Sequence, residues 1–581
     1  MNANTNTASN NHKSGAAAAA AATGGNSSNN YTQKDQLLSK SLSITIKQMK
    51  LMESPEGNRK RYSVLQRLQS LVNEWYSIVC KDADLNESYE GISLCTFGSY
   101  RLGVHHPDAD VDVLALCPIY CTRSSFFKDM VALLERDESV TELHPIPSAY
   151  TPVIKFQIDG ISIDLVHASC KFVPSQLPST SAKQFFRNLE EDILYRNIQT
   201  IDDAGMRSIN GVRVNQILIE MVKSCGNLKS FRDSLIVVKK WSRVKGIYSN
   251  VLGFLGGVNW AILVTYVCRL YPNSSSSTIL SNFFRIFSKW LWPKPVMLLP
   301  IQYKLPLEYQ QQLSNLPRQH HKRVHVWNPK TNRRDATHLM PILTPAYPSM
   351  NSSYNIGHAQ RRRIVYEMRL TSGIIEDICK GNKNWRQLFH CDFFHQHEHF
   401  LKITISASSP SRFKKWFGLC EARLRILIAG LDNDQIGIEA YPFTKFFFEE
   451  ERNPIRSFFF IALRFARSTS RVNISDLASE FLYMINSWEH RVECMDVQLH
   501  HVRQKELPAF LFDENYVENT LEVKTVKKST TTNSEMQSPK KKRKTSIFAK
   551  DKCASDASSV GTPFPSKRES KTVSTQSSGV V

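Results

Sequence analysis

Paired cysteines are missing from this chain. Its 581 residues hold 12 cysteines, scattered from Cys80 to Cys553 with no Cys-x-x-Cys pair, so neither a zinc ribbon nor a disulfide framework is indicated. A reducing intracellular compartment is the expectation. Acidic residues are the scarcer charge: 53 Asp and Glu against 74 Lys and Arg leave a formal net charge of +21. That balance favours polyanionic partners through counterion release, with nucleic acid first and an anionic membrane surface second, unless the basic tails alone dominate the count. No basic segment followed by an apolar stretch opens the chain, which argues against a secretory signal. Long uncharged runs are rare. The one from Gly246 to Cys268 could span a bilayer, but its four glycines, two asparagines and a serine read as a buried loop entering a core helix.

What is present falls into distinct stretches. Residues 1–30 are rich in Asn, Ser, Thr and Ala and offer too little apolar surface to repay ordering. From about Tyr31 the pattern turns helical, and Leu65, Leu68, Leu71, Val72, Trp75 and Tyr76 recur at the spacing of an amphipathic, core-packing helix. Residues 92–116 read as two strands around a Gly98-Ser99 turn. A hairpin is predicted at Val153 to Val166, because Asp159-Gly160 is a strong two-residue turn signal between alternating strands. Helical periodicity dominates from Gln184 to Arg285, and residues 290–355 form an irregular connection. Helices and strands mix again from Arg361 to about Leu511. After Leu521 the chain is rich in Lys, Ser and Thr, and Pro539 to Thr545 has the pattern of a nuclear-import signal, nonspecific RNA contact being the alternative.

The chemistry concentrates between Phe97 and Asp112. If Val111 lies in a strand, Asp110 and Asp112 project from one face, where two hard carboxylates can hold Mg²⁺. Asp164, mid-strand among apolar neighbours, needs compensation for its charge, and a shared metal is the simplest. Three carboxylates can hold two divalent ions that clamp the attacking and leaving oxygens of an in-line displacement. Gly98 permits close backbone approach, and the Ser99 hydroxyl and neighbouring amides can bind triphosphate oxygens.

Phe97-Gly98-Ser99 followed by Asp110-x-Asp112 and a later strand acid resembles the DNA polymerase beta type nucleotidyltransferase superfamily. Further segments are similar to the eukaryotic nuclear poly(A) polymerase family: Arg207 to Arg213, Lys239 to Trp260, Leu339 to Pro348, and Asn351 to Ile356. The resemblance runs from about Tyr31 to Pro508. It implies an α+β multidomain chain. Its expected parts are a nucleotidyltransferase mixed-sheet catalytic domain at 76–174, a mostly helical central domain at 175–360 and an RNA-recognition-like α/β domain at 361–515. A helical segment at 31–75 would pack with the central domain, between disordered tails at 1–30 and 516–581.

By matching position, the resemblance implies that Asp110 and Asp112 bind two Mg²⁺ ions, with Mn²⁺ as a possible substitute, and that Asp164 completes the site nearest the primer 3′-hydroxyl. Phe97, Gly98 and Ser99 would line the triphosphate side, with His106 at a nucleotide-contacting position. Lys239 and Tyr248 would reach phosphate. Asn250, Gly257 and Val258 would cup the ribose and base, with Val153 and Thr344 beside the adenine. Duller alternatives stand for each: Lys239 as a surface lysine, Tyr248 and Asn250 as turn formers, His106 as an exposed loop residue. The chain departs from the family pattern at Asp108, where an extra acid approaches the pair, and in lacking a recognisable Thr-Pro-Pro segment. Its aromatics near Phe393 to Leu431 would bind single-stranded RNA, although their spacing fits core positions.

The implied activity is template-independent transfer of AMP from ATP to an RNA 3′ end in the nucleus, by a monomer working with cleavage and polyadenylation factors and without membrane contact. A terminal uridylyl- or CCA-adding transferase and a catalytically silent RNA-binding scaffold are the alternatives.

Overall fold

The computed structural model describes residues 33–84, 92–171, 201–304, 307, 325–433, 436–449, 454–465 and 472–512. The tails, including the import-like Pro539 to Thr545, lie outside the described residues. Two sheets and a helical layer between them in sequence make up the described structure.

The first sheet holds β1 (Ser93–Phe97), β2 (Val111–Pro118), β3 (Val140–Ile146), β4 (Val153–Ile158) and β5 (Ile161–Cys170), in the order β1-β2-β5-β4-β3. Only β2 and β5 run parallel, so the sheet is mixed. The β4–β5 turn forms at Asp159 and Gly160, both at positive φ (50° and 76°), as a two-residue hairpin demands. Alternation along the strands splits the apolar residues between the faces. Val111, Val113, Ile163 and Leu165 pack with Leu68, Val72 and Trp75 of helix α2 (Pro55–Asp82), while Leu114, Leu116, Val166 and Ala168 pack with Ile209 and Val212 of a later helix.

The segment expected to pack as one unit with the central helices divides in two. Helix α1 (Gln33–Gln48) buries Leu42 and Ile46 among the central helices, whereas α2 covers the first sheet. The physical break is at Ser54, whose hydroxyl accepts from Gly57 N at 2.9 Å and caps α2, with Pro55 at the first helical position.

After α3 (Gly98–Leu102), the central layer consists of α4 (Asp203–Ser224), α5 (Leu228–Val244), α6 (Gly257–Leu270), α7 (Ser276–Phe287) and α8 (His358–Lys380). The uncharged run from Gly246 is a loop that leads into α6, whose Trp260 to Val264 are wholly buried. No described helix is long and apolar enough to cross a membrane.

The second sheet, in the order β10-β6-β9-β7, contains β6 (His399–Ala407), β7 (Ile438–Pro442), β9 (Ile455–Phe465) and β10 (Asp496–Arg503), with β8 (Phe447–Glu449) beside β9. Helices α9 (Pro410–Leu431) and α10 (Ser475–Asn486) complete the β-α-β-β-α-β pattern of RNA-recognition modules. Leu401, Ile403 and Ile405 face the helices and share one apolar cluster with the central layer. On the opposite face Phe400, Phe458 and Phe460 are buried with Phe394, Phe443 and Phe447. These rings are core, so they do not form the open stacking platform typical of that module.

Candidate active site

Asp112 and Asp164 are register partners on parallel β2 and β5, and Asp112 also faces Phe97 across β1. Asp110 sits one residue before β2 begins. These are the residues the sequence singled out, and each offers a carboxylate oxygen within 4.8 Å of the others. Burial, then the charges of Asp110 and Asp164, pushes the Asp112 carboxyl up to about 8. Burial also raises Asp164, against the pull of Lys155, whose ammonium pairs with its carboxylate. Such a donor set is short of positive charge. All-oxygen ligands gathered at one point suit a hard divalent cation, which would relieve the repulsion.

The cradle around the acids is backbone. Gly98 opens α3 at φ 63°, and a Cβ built there would meet Asp112 Oδ2 at 1.8 Å. No side chain fits between this turn and the carboxylate. Ser99 lies in the first turn of α3, and its carbonyl accepts from Val104 N at 3.0 Å. Phe97 turns toward α4, its ring 3.1 Å from a Cβ placed on Gly211.

Lys239 and Tyr248, from the end of α5 and the loop after it, lie near enough to Asp110 and Asp112 to feel their charge. Lys239 on α5 is not a solvent-facing lysine: burial, then the nearby Arg243, lowers its ammonium to about 7, while Asp110 and Asp112 oppose the shift. Its Nζ donates to Val104 O at 3.1 Å, on the loop that carries the acids. Burial raises the Tyr248 phenol, with Arg243 opposing and Asp110 and Asp112 adding to the rise. The Arg243 guanidinium lies 4.9 Å from the Tyr248 ring centre. A Cβ on Gly257 would sit 3.0 Å from the Tyr248 hydroxyl, so Gly257 lies against that phenol at the start of α6.

The remaining predicted residues lie on several other elements. Asn250 closes a turn, accepting from Gly253 N at 3.1 Å and from Asn355 Nδ2 at 2.5 Å. Val258 is exposed in the first turn of α6. Val153 opens β4 and shares an apolar cluster with Tyr347, whose loop also carries Thr344. Thr344 N donates to Met350 O at 2.9 Å. His106 turns to Asp108, Nδ1 to Oδ2 3.4 Å. Asp108 itself is 64% exposed and stands outside the carboxylate group, which corrects the expectation that it crowds the pair.

Two basic residues were missed as functional candidates. Lys155 faces Asp164 directly across the β4–β5 ladder, a register that the Asp159-Gly160 turn already fixes. Arg243 lies one helical turn after Lys239 and reads from sequence as an ordinary basic helix end.

The mixed sheet and its strand acids define a nucleotidyltransferase-type domain. Family models for the poly(A) polymerase nucleotidyltransferase domain, central domain and predicted RNA binding domain match residues 23–222, 230–391, and 392–454 with 448–521. The chain is 35% identical over 521 residues to a poly(A) polymerase of Dictyostelium discoideum, covering 86% of this chain and 60% of that protein. It is 34% identical over 479 residues to nuclear poly(A) polymerase 4 of Arabidopsis thaliana, covering 80% and 60%. It is 37% identical over 422 residues to poly(A) polymerase pla1 of Schizosaccharomyces pombe, covering 72% and 69%. The chain belongs to the poly(A) polymerase family. It spans about 60% of the length of the first two relatives. A solved cytoplasmic RNA terminal U-transferase is 14% identical with a TM-score of 0.38, covering 62% of this chain and 98% of that one, too distant to bear on the site.

Proposed function

We propose that this chain is a polynucleotide adenylyltransferase that adds AMP from ATP to the 3′-hydroxyl of RNA without a template and releases pyrophosphate. The observation that carries the reading is the convergence of Asp110, Asp112 and Asp164 within reach of the half-buried ammonium of Lys239 and phenol of Tyr248. Phosphoryl transfer asks mainly for positioning and charge stabilisation, and this arrangement supplies both without a covalent intermediate.

Asp110 and Asp112 would hold two Mg²⁺ ions, or Mn²⁺, with Asp164 completing the site nearest the primer. Bound there, the ions supply Lewis-acid charge neutralisation for the in-line displacement. The chain's own residues do the rest. Gly98 and the first amides of α3, with Ser99, cradle the triphosphate. Lys239 and Tyr248 bind its oxygens as a point cation and a hydroxyl donor. Gly257 lets the nucleotide approach the Tyr248 wall, and Asn250, Val258, Val153 and Thr344 border the ribose and base. Phe97 holds the cradle against α4, and His106 contributes at its rim.

RNA is the polyanion that the +21 charge would attract. The names of the Arabidopsis relatives, together with the Lys-rich tail, support a nuclear location. Within this proposal the chain acts as a monomer alongside cleavage and polyadenylation factors.

Competition decides the base. Offered equal ATP, UTP, CTP and GTP with Mg²⁺ and an RNA primer, the purified chain is expected to incorporate AMP at least about tenfold over any other, the discrimination a shaped pocket supplies. Preferred incorporation of UMP would reject the proposal.

Gly98 gives a second test. Gly98→Ala is expected to reduce extension about a hundredfold or more and to lower the melting temperature as well, because the added methyl displaces Asp112 and the left-handed backbone at this position disfavours an L side chain. Activity within twofold of the parent would show that Gly98 does not set the carboxylate.

A further inference from the structure

Of the three acids, only Asp110 lies outside the strands. Asp112 is paired with both Phe97 and Asp164 in the sheet ladders, and Asp164 lies within β5, but Asp110 precedes the first residue of β2. Its position therefore depends on the loop His106 to Ala109.

That loop is held from behind by α2. Arg61 is fully buried, and its guanidinium donates to three of the loop's carbonyls: to Ala109 O at 2.7 Å, Pro107 O at 2.6 Å and His106 O at 3.4 Å. The remaining Nε donates to Glu53 Oε2 at 3.0 Å. Glu53 is itself fixed, its other oxygen accepting from Ser54 N at 2.8 Å. Room for it comes from Gly57, where a Cβ would lie 2.1 Å from Glu53 Oε1. From the same helix, Asn58 Oδ1 lies 3.0 Å from His105 Nε2. A buried guanidinium is costly unless its donors are satisfied, and here they are spent on the peptide units directly before Asp110.

We propose that Arg61, braced by Glu53, is a positioning residue that sets Asp110 for metal binding, so that α2 acts as the back wall of the carboxylate centre. The proposal rests on the metal-binding reading above. Arg61 touches no reacting atom; it acts through the loop, as outer partners of metal ligands do, and loss of such a partner typically costs about 10- to 100-fold in metal affinity.

Mn²⁺ uptake by the full chain, followed by the loss of the free-ion electron paramagnetic resonance signal, tests this without turnover. The double variant Glu53→Gln/Arg61→Met removes both buried charges together, so no uncompensated ion remains. It is expected to keep the parent's circular dichroism and bind Mn²⁺ about tenfold or more weakly, with the KM for RNA primer unchanged. Arg61→Lys, which keeps the pair with Glu53 but loses the fork, is expected to fall between parent and double variant. Mn²⁺ affinity within twofold of the parent in a folded double variant overturns the proposal, as does a lowered melting temperature with affinity unchanged. If the double variant does not fold, Arg61→Lys decides by the same criterion. A parent chain that takes up no Mn²⁺ overturns the carboxylate centre itself, and this inference falls with it.

Discussion

Asp112→Asn is expected to cut AMP incorporation by at least about a thousandfold, because a bound divalent ion contributes several kcal/mol of charge stabilisation and about 1.4 kcal/mol is a factor of ten. Primer extension under saturating ATP measures it. The same change is expected to stabilise the metal-free protein at alkaline pH. The folded carboxyl titrates near 8 against an ordinary value of 3.8, owing to burial and then to Asp110 and Asp164. Between those values the folded chain holds a proton that the unfolded chain has released, so metal-free stability falls as pH rises through that window. Asn carries no such charge. The melting temperature of Asp112→Asn in chelator should therefore exceed the parent's above pH 8 and match it near pH 4. A parent more stable than the variant at pH 9 would contradict the electrostatic account.

The second large effect concerns the frame. Glu367 on α8 is paired with Arg363 at 2.5 Å and with Lys245 at 3.7 Å, all three buried. Arg363 also donates to Lys245 O at 3.1 Å and lies 4.7 Å from the Phe393 ring centre, so the group pins α8, the end of α5 and the approach to the second sheet together. Glu367→Ala strands two buried cations, and breaking a pair in this way costs about 3–5 kcal/mol. Denaturant unfolding should show a loss of that size in the transition of the central core. Glu367→Gln, which keeps hydrogen-bonding capacity, should cost less. A loss under about 1 kcal/mol for Glu367→Ala would mean the cations find other partners or water.

The parts of the site written in local pattern were legible. Asp159-Gly160 fixed the β4–β5 register, and that register put Asp164 beside Asp112 once β5 paired with β2. The same register sets Lys155 opposite Asp164, so that pairing too is written in the local pattern. Arg61 was not legible in this way. A basic residue on an amphipathic helix ordinarily faces water, and only tertiary packing turns it to the loop before Asp110. The same holds for Lys239, whose partner Val104 is remote in sequence. Asp108 shows the opposite case: nearness in sequence to the acids suggested crowding, but the turn from His106 to Ala109 points it to solvent. The two N-terminal helices went to different cores because Ser54 and Pro55 end one direction of chain and start another, a signal present in the sequence at positions whose consequence depends on which surfaces are free to be covered.

The most direct test of the carboxylate centre as an RNA adenylyltransferase follows both products at once. An RNA primer, Mg²⁺ and ATP labelled at the α-phosphate are incubated with the full chain, and incorporated label is compared with released pyrophosphate. One pyrophosphate per adenylate added is predicted, with no addition to a primer ending in a 3′-deoxy nucleotide. Pyrophosphate or phosphate release without primer extension, or extension of the 3′-deoxy primer, would contradict the account.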